Sequence, residues 1–143
     1  MRGEDDTRPA GGPADGQLAE AVLFFERGLA FAQTGSHDQA AAEFEEAAWR
    51  DPTNAEVQYN LGTAYTLLGM LEQAIRNFDS AIRLEPDHRD SLANRAVAHA
   101  ALGEDLQSAA DTRDAERLGA NPEGLAAALD YVREKRSQNS PGK

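Results

Sequence analysis

The sequence predicts an all-α fold, an α-solenoid of stacked helical hairpins, and two observations carry that prediction. Composition is the first, because alanine is abundant and β-branched residues are few, which favours helix over strand. The second is an internal repeat with a period of 34 residues, which is typical of solenoids. Residues 21–54 and 55–88 share nine identical positions, mostly small, aromatic or turn residues: Ala21/Ala55, Gly28/Gly62, Ala30/Ala64, Gly35/Gly69, Gln39/Gln73, Ala40/Ala74, Phe44/Phe78, Ala47/Ala81 and Pro52/Pro86.

A weaker third copy of the repeat lies at residues 89–122. Ala96 aligns there with Gly28 and Gly62, and Gly103 aligns with Gly69. We interpret this copy as a degenerate terminal repeat, since the end repeats of a solenoid are usually atypical.

Each copy is expected to form two helices. Their expected bounds are 17–34 and 37–50, 54–68 and 71–84, and 88–102 and 105–118. Gly35 and Gly69 should end the first helix of their pairs, because glycine readily adopts the left-handed conformation found at helix C-termini. Asp51 and Pro52 should end the second helix of the first pair, since the residue before a proline avoids helical geometry.

Capping signals predict where several helices begin. Ser36 with Gln39, and Thr53 with Glu56, have the spacing of capping boxes. The Asn-Pro dipeptide at 121–122 supplies an N-cap and a proline in the first turn, so a seventh helix should run from there to about residue 136.

Small residues occupy the middle of each predicted first helix, namely Gly28, Gly62 and Ala96. Glycine there costs about 1 kcal/mol relative to alanine. The cost is tolerable if a second helix passes so close that no larger side chain fits. That second helix is expected to offer small residues, with phenylalanines filling the space between layers: Ala40 and Ala74, and Phe44 and Phe78.

These residues resemble the tetratricopeptide repeat family, whose pattern is W-x2-L-G-x2-Y, then A-x3-F, then P, over about 34 residues. The first copy offers Phe24, Arg27, Gly28, Phe31, Ala40, Phe44 and Pro52, and the second offers Gln58, Leu61, Gly62, Tyr65, Ala74, Phe78 and Pro86. The third departs from the pattern, with Leu92, Arg95, Ala96, His99, Ser108, Thr112 and Ala120. The resemblance implies a right-handed superhelix with a concave groove lined by the first helix of each pair. It also implies a non-catalytic adaptor or scaffold that binds proteins.

The domain organisation follows from the same alignment. We expect a disordered tail over 1–16, a repeat domain over 17–136 (repeats 21–54, 55–88 and 89–122, capping helix 122–136) and a disordered tail over 137–143.

Groove residues can be assigned from the resemblance. They are Phe25 and Leu29 in the first repeat, Tyr59, Asn60 and Thr63 in the second, and Asn94 and Val97 in the third. Glu26, Glu56 and Asp90 add an acidic rim, so the expected partner is a protein or peptide segment with an apolar anchor and one or two basic residues. The two asparagines would either hold the backbone of such a segment or serve as contacts between repeats, and the sequence leaves both readings open.

One subset of the family binds the C-terminal carboxylate tails of chaperones through lysines, an arginine and asparagines. Of those positions only Asn60 matches here, because Phe25, Leu29, Asp90 and Asn94 replace the others. Asp90 would repel a carboxylate, so chaperone tails are not expected as partners.

The stretch AVLFFERGLAFA at residues 21–32 is apolar on nearly every side. It is shorter than the roughly 20 residues of a membrane span. A signal peptide would have a basic start and a hydrophobic run nearer the N-terminus, whereas residues 3–16, which contain four acidic residues, precede this stretch. It could be covered by residues 1–16, by a peptide partner or by a second copy of the chain, or be left uncovered. Pairing with a second copy gives the alternative function, a homo-oligomeric self-assembly module.

Charge and motifs narrow the function further. The formal net charge of −11 argues against nucleic acid and membrane surfaces as partners, since both require a cationic surface. The sequence has no cysteine, no HExxH and no phosphate-binding glycine loop, so no enzyme activity, cofactor or metal site is expected. No targeting segment is visible, and a cytoplasmic location is the default expectation. His37 and His88 lie near helix starts and are expected to be solvated.

Overall fold

A computed structural model describes residues 15–140, and within that range it contains seven helices and no strand. They are α1 (Asp15–Gln33), α2 (His37–Arg50), α3 (Ala55–Leu67), α4 (Leu71–Leu84), α5 (Arg89–Ala101), α6 (Asp105–Arg117) and α7 (Pro122–Gln138). Helices α1 and α2, α3 and α4, and α5 and α6 pack as hairpins. Each hairpin stacks on the next, through α2 against α3 and α4 against α5. The predicted α-solenoid is therefore confirmed.

The ends of the solenoid differ slightly from the predicted bounds. Helix α1 begins at Asp15 and α7 continues to Gln138, so residues 15–16 and 137–138 are helical rather than parts of the tails. No proline or glycine follows Gly124 before residue 140, and Lys135 and Arg136 in the last turn of α7 interact favourably with the helix dipole. The remainder of the two predicted tails, 1–14 and 141–143, lies outside the described residues.

The predicted glycine stops are confirmed. Gly35, Gly69 and Gly103 have φ values of +80°, +78° and +82°, a conformation in which a side chain would be strained. The amide that follows each glycine donates back across the turn, as Met70 does to the Tyr65 carbonyl at 2.8 Å. This closes the first helix of every hairpin in the same way.

The predicted N-caps of α2 and α3 have different outcomes. Ser36 is the N-cap residue of α2 as predicted, but its side chain makes no capping bond. The prediction of Thr53 as the cap of α3 is wrong. Helix α3 is capped by Asn54, which accepts from the amides of Glu56 and Val57, because Asn54 directly precedes the helix. Thr53 instead donates its hydroxyl to Asp51 at 2.7 Å.

The third predicted cap is confirmed. Asn121 caps α7 and accepts from the Gly124 amide at 2.9 Å.

The first two hairpins cross as closely as the glycines predict, although a ring rather than a small residue fills the space. A Cβ built on Gly28 would lie 2.5 Å from the Phe44 ring, and one on Gly62 would lie 2.6 Å from the Phe78 ring. Ala40 and Ala74 are fully buried beside these rings. Each phenylalanine thus occupies the volume that the glycine leaves empty.

The C-terminal helix completes the core of the third hairpin. Leu125 and Leu129 of α7 join a cluster with Leu92, Ala96, Ala100 and Ala115. At the far end of α7, Arg136 donates to the Ala100 carbonyl at 2.7 Å and pairs with Asp105 at 3.2 Å. Helix α7 therefore serves as the cover of α5.

No helix within residues 15–140 combines the length and apolar character needed to cross a bilayer.

Candidate functional site

The seven predicted groove residues all lie on the first helices of the hairpins, α1, α3 and α5, and all are half-buried. We call them the groove surface: Phe25, Leu29, Tyr59, Asn60, Thr63, Asn94 and Val97. The structure gives them two different environments, one polar and central and the other apolar and at the N-terminal end.

The centre of the groove surface is a hydrogen-bonded cluster between α3 and α5. The Asn94 amide lies 3.5 Å from the Tyr59 hydroxyl and 3.4 Å from the Thr63 hydroxyl. Thr63, Asn94 and Val97 line one cavity of about 250 Å³. The structure thus brings together four of the predicted groove residues, namely Tyr59, Thr63, Asn94 and Val97. Asn94 acts as a contact between repeats.

Asn60 has a different role from Asn94, although the two are equivalent in the repeat. Its amide donates to the Glu56 carbonyl one turn earlier at 2.8 Å. Its side chain is therefore tied to its own helix rather than to the central cluster, which leaves the amide oxygen as the group it can offer a ligand.

The apolar end of the groove surface belongs to α1. Phe25 and Leu29 pack against the core cluster of α2 and α3, and the Phe25 ring lies 5.7 Å from the Phe44 ring. Toward the N-terminus the same stripe continues into Leu18 and Val22, which are 41% and 55% exposed. Leu18 was not predicted as a groove residue, although its spacing of four residues from Val22 is the signal for it.

His88 contradicts the expectation that it is solvated. It is buried at the start of α5, where its Nδ1 accepts from the Ser91 amide at 3.2 Å. The proton therefore sits on Nε2, which donates to Glu56 at 2.8 Å. The ring also lies 5.3 Å from Tyr59, so His88 fixes the position of a rim carboxylate beside the central cluster.

Two carboxylates lie near the third-repeat end of the groove surface. Those of Glu56 and Asp90 are both mostly exposed, and Asp90 lies 3.5 Å from the Arg89 guanidinium. Burial raises the pKa of Tyr59 above its usual value, and the neighbouring Asp90 carboxylate raises it further. Tyr59 is consequently a neutral hydrogen-bonding group.

Helix α7 borders the groove surface, which the sequence did not reveal. Ala128 lines the same cavity as Thr63 and Val97, and Asn121 and Gly124 line a second cavity of about 430 Å³ with Asp90 and other residues of α5. A small residue at 128 is the one signal in the sequence that α7 comes close to the groove.

Within the described part of the chain, no group of three metal-ligating side chains is close enough to hold an ion.

Two family models match the sequence. One, described as tetratricopeptide repeat, matches residues 55–88, and another, described as TPR repeat, matches residues 28–69. No curated protein is similar enough in sequence to count as a match.

Solved structures share the fold over most of the chain. The TPR domain of Arabidopsis OM64 aligns with a TM-score of 0.75 at 21% identity, over 83% of this chain and 98% of that one. The second TPR domain of human RPAP3, in complex with the HSP70 peptide SGPTIEEVD, gives 0.71 at 21% identity, over 82% and 95%. PcrH, in complex with the chaperone-binding region of PopD, gives 0.68 at 23% identity, over 82% and 90%.

Proposed function

Because the chain belongs to the tetratricopeptide repeat family, we propose that it is a non-catalytic adaptor that binds a segment of a partner protein along the groove surface. The observation that carries this proposal is the continuous stripe of partly exposed apolar side chains on α1 that leads into the polar cluster of Tyr59, Thr63 and Asn94. Peptide complexes of human RPAP3 and PcrH, which share the fold, support it.

The two environments of the groove surface define the partner. The exposed Val22 and Leu18 favour an apolar anchor at the first-repeat end, since contact would remove apolar area from water. Glu56 and Asp90 favour one or two basic residues at the other end. A groove of three repeats is short, so we expect affinity in the micromolar range, roughly 1 to 100 μM.

Chaperone tails that end in a carboxylate are excluded by this proposal, although human RPAP3 binds such a peptide. The acidic Asp90 stands on the groove side of α5, and Phe25 and Leu29 offer no donor to a carboxylate. On this proposal, the likeness of fold does not extend to the ligand.

A peptide array of defined sequences tests the proposal. Twelve-residue peptides that vary in apolar and basic content would be probed with the full chain, and affinities measured by calorimetry. The matched variants are Val22→Glu with Asp90→Lys on the groove, and Leu106→Glu on α6, where the side chain is 87% exposed. All these side chains are exposed, whereas truncation of Phe25 or Tyr59 would also disturb the core through Phe44 and Phe78.

We expect peptides with both apolar and basic residues to bind best. The groove double variant should lose at least about tenfold in affinity, or ~1.4 kcal/mol, while Leu106→Glu leaves it unchanged. Preference for acidic peptides with a free carboxylate, or equal binding by the double variant, would contradict the proposal.

Self-assembly through the apolar first helix is the alternative function. Leu23, 60% exposed, is the observation in its favour. A dimer that resists dilution and that Leu23→Glu converts to monomer in light scattering would support this alternative over the adaptor.

A further inference from the structure

The outer face of α1, formed by Leu23, Arg27, Ala30, Phe31 and Thr34, corresponds to a surface that is covered in the other two repeats. The residue 34 positions after Leu23 is Val57, which is 2% exposed, and the next equivalent, Ser91, is fully buried; Leu23 itself is 60% exposed. In α3 and α5 the cover is the second helix of the preceding hairpin, α2 or α4. Among the described residues α1 has no such helix.

The outer face has the shape of a site that receives a helix. Arg27, Ala30, Phe31 and Thr34 line a mostly apolar cavity of about 300 Å³. The equivalent of Ala30 in α3 is Ala64, which is buried in the cluster that α2 and α3 form together. A small residue at this position allows a helix to pack closely against α3, and Ala30 would allow the same on α1.

The contacts of Arg27 indicate which charge a helix bound to the outer face of α1 would carry. Its equivalent in α5, Arg95, holds Asp111 of its own hairpin through Nε and Nη2, at 2.7 and 2.8 Å. Through Nη1 it holds Asp79 of the preceding α4, at 2.7 Å.

Arg27 makes the first of these two interactions and not the second. Nε and Nη2 both lie 3.0 Å from Glu43 of its own hairpin. Within residues 15–140, its Nη1 has no carboxylate partner, so one half of the Arg95 arrangement is present and the other is open.

We propose that the outer face of α1 is a second binding site, whose occupant is an amphipathic helix of a partner protein that carries an Asp or Glu. Both internal covering helices place a carboxylate at this position: Glu45 of α2 accepts the Tyr65 hydroxyl, and Asp79 of α4 binds Arg95. Glu45 has the buried Ala41 four residues before it, and Asp79 has the half-buried Ile82 three residues after it. The partner helix would likewise carry its acid close to an apolar residue and pair the acid with Arg27.

A second copy of the chain fits this site less well. The helix that would stack next in a head-to-tail array is α6, and its residue at the position of Glu45 and Asp79 is Arg113. Stacking α6 on α1 would bring Arg113 toward Arg27, and like charges in contact oppose association.

The protein supplies a probe for this site, namely a synthetic peptide with the α4 sequence LEQAIRNFDSAIRL. Titration of the isotopically labelled full chain with this peptide, followed by NMR, should shift the amide signals of the outer face of α1. Arg27→Glu should weaken binding about fivefold, which is the upper range for one exposed ion pair, and a peptide with Asp79→Lys should restore it. Arg117→Glu, a change at an exposed arginine of α6, serves as the matched control.

A further variant guards against loss of folding, because Arg27→Glu faces Glu43. Leu23→Glu leaves that ion pair in place and should also weaken peptide binding without changing helix content. Absence of shifts on α1, or shifts confined to α3 and α5, the helices that α4 contacts in the native fold, would overturn the proposal. So would a dimer that Arg27→Glu dissociates, or peptide binding that appears only when residues 1–14 are removed, since either assigns the face to another occupant.

Discussion

The second and third hairpins have the same backbone arrangement but different side chains between their two helices. In the second, the Phe78 ring lies against Gly62, and Tyr59 packs on the same ring at 6.2 Å. In the third, Ala96 replaces the glycine and Thr112 replaces the phenylalanine, and the hydroxyl of Thr112 bonds to the Ser108 carbonyl of its own helix at 2.8 Å.

The third hairpin contains a network of charged groups that the second lacks. Arg95 binds the buried Asp111 with two hydrogen bonds, and His99 lies between Asp111 and Glu104, 2.9 Å from the latter. The hydrogen bond to Asp111 is the main reason that the pKa of Arg95 lies above its usual value. The comparison teaches that the same stacking geometry accommodates different sets of interior residues.

The largest effect expected from this comparison comes from removing the ring. Phe78→Ala should lower the free energy of unfolding by about 4 kcal/mol, because it leaves a ring-sized cavity in a fully buried position. Thr112→Ala, at the same position of the third hairpin, should cost less than about 1 kcal/mol. Urea unfolding followed by circular dichroism measures both, and equal losses would show that the two hairpins do not differ as described.

Breaking the buried ion pair should have the next largest effect. Asp111→Asn keeps the volume and removes the charge that Arg95 holds, so we expect a loss of about 2 kcal/mol. Asp79→Asn is the matched control, because Asp79 binds the same arginine from a more exposed position and should cost less than ~1 kcal/mol. A smaller loss for Asp111→Asn than for Asp79→Asn in urea unfolding would mean that the ion pair does not support the hairpin.

The smallest effect comes from exchanging the small residues. Gly62→Ala adds a Cβ 2.6 Å from the Phe78 ring, and this strain of about 2 kcal/mol exceeds the gain of about 1 kcal/mol in helix propensity. Ala96→Gly loses about 1 kcal/mol of propensity where the methyl group is already accommodated. Both variants should therefore have a thermal midpoint a few degrees below that of the wild type, and a higher midpoint for Gly62→Ala would mean that the ring moves without cost.

The sequence was sufficient to predict where the helices lie, because helix ends depend on local chemistry. Gly35, Gly69 and Gly103 are required by the backbone itself, and the 34-residue period places each helix relative to the next. N-caps were less predictable, since Thr53 and Asn54 are both suitable residues and only the exact first residue of α3 selects between them. Family models match residues 28–88 and not the third hairpin, where Thr112 and Ala120 replace the phenylalanine and the proline of the common pattern.

The groove surface was predictable in position but not in contacts. Equivalent spacing placed Asn60 and Asn94 on the same side, yet one donates to its own helix and the other to Tyr59 and Thr63. Burial of His88 could not be predicted, because its carboxylate partner Glu56 lies 32 residues earlier in the chain. Side chains that meet across hairpins depend on the exact stacking, which a periodic pattern does not specify.

Attachment of α7 to α5 sets an order in which the chain can fold. The first two hairpins contact only their neighbours and contain their own rings, so they are able to form while later residues are still being synthesised. The third has an alanine-rich interior that Leu125 and Leu129 of α7 complete. The Ala100 carbonyl of its α5 accepts a hydrogen bond from Arg136, which lies 36 residues later in the chain. Synthesis therefore has to reach Arg136 before the last hairpin acquires these native partners.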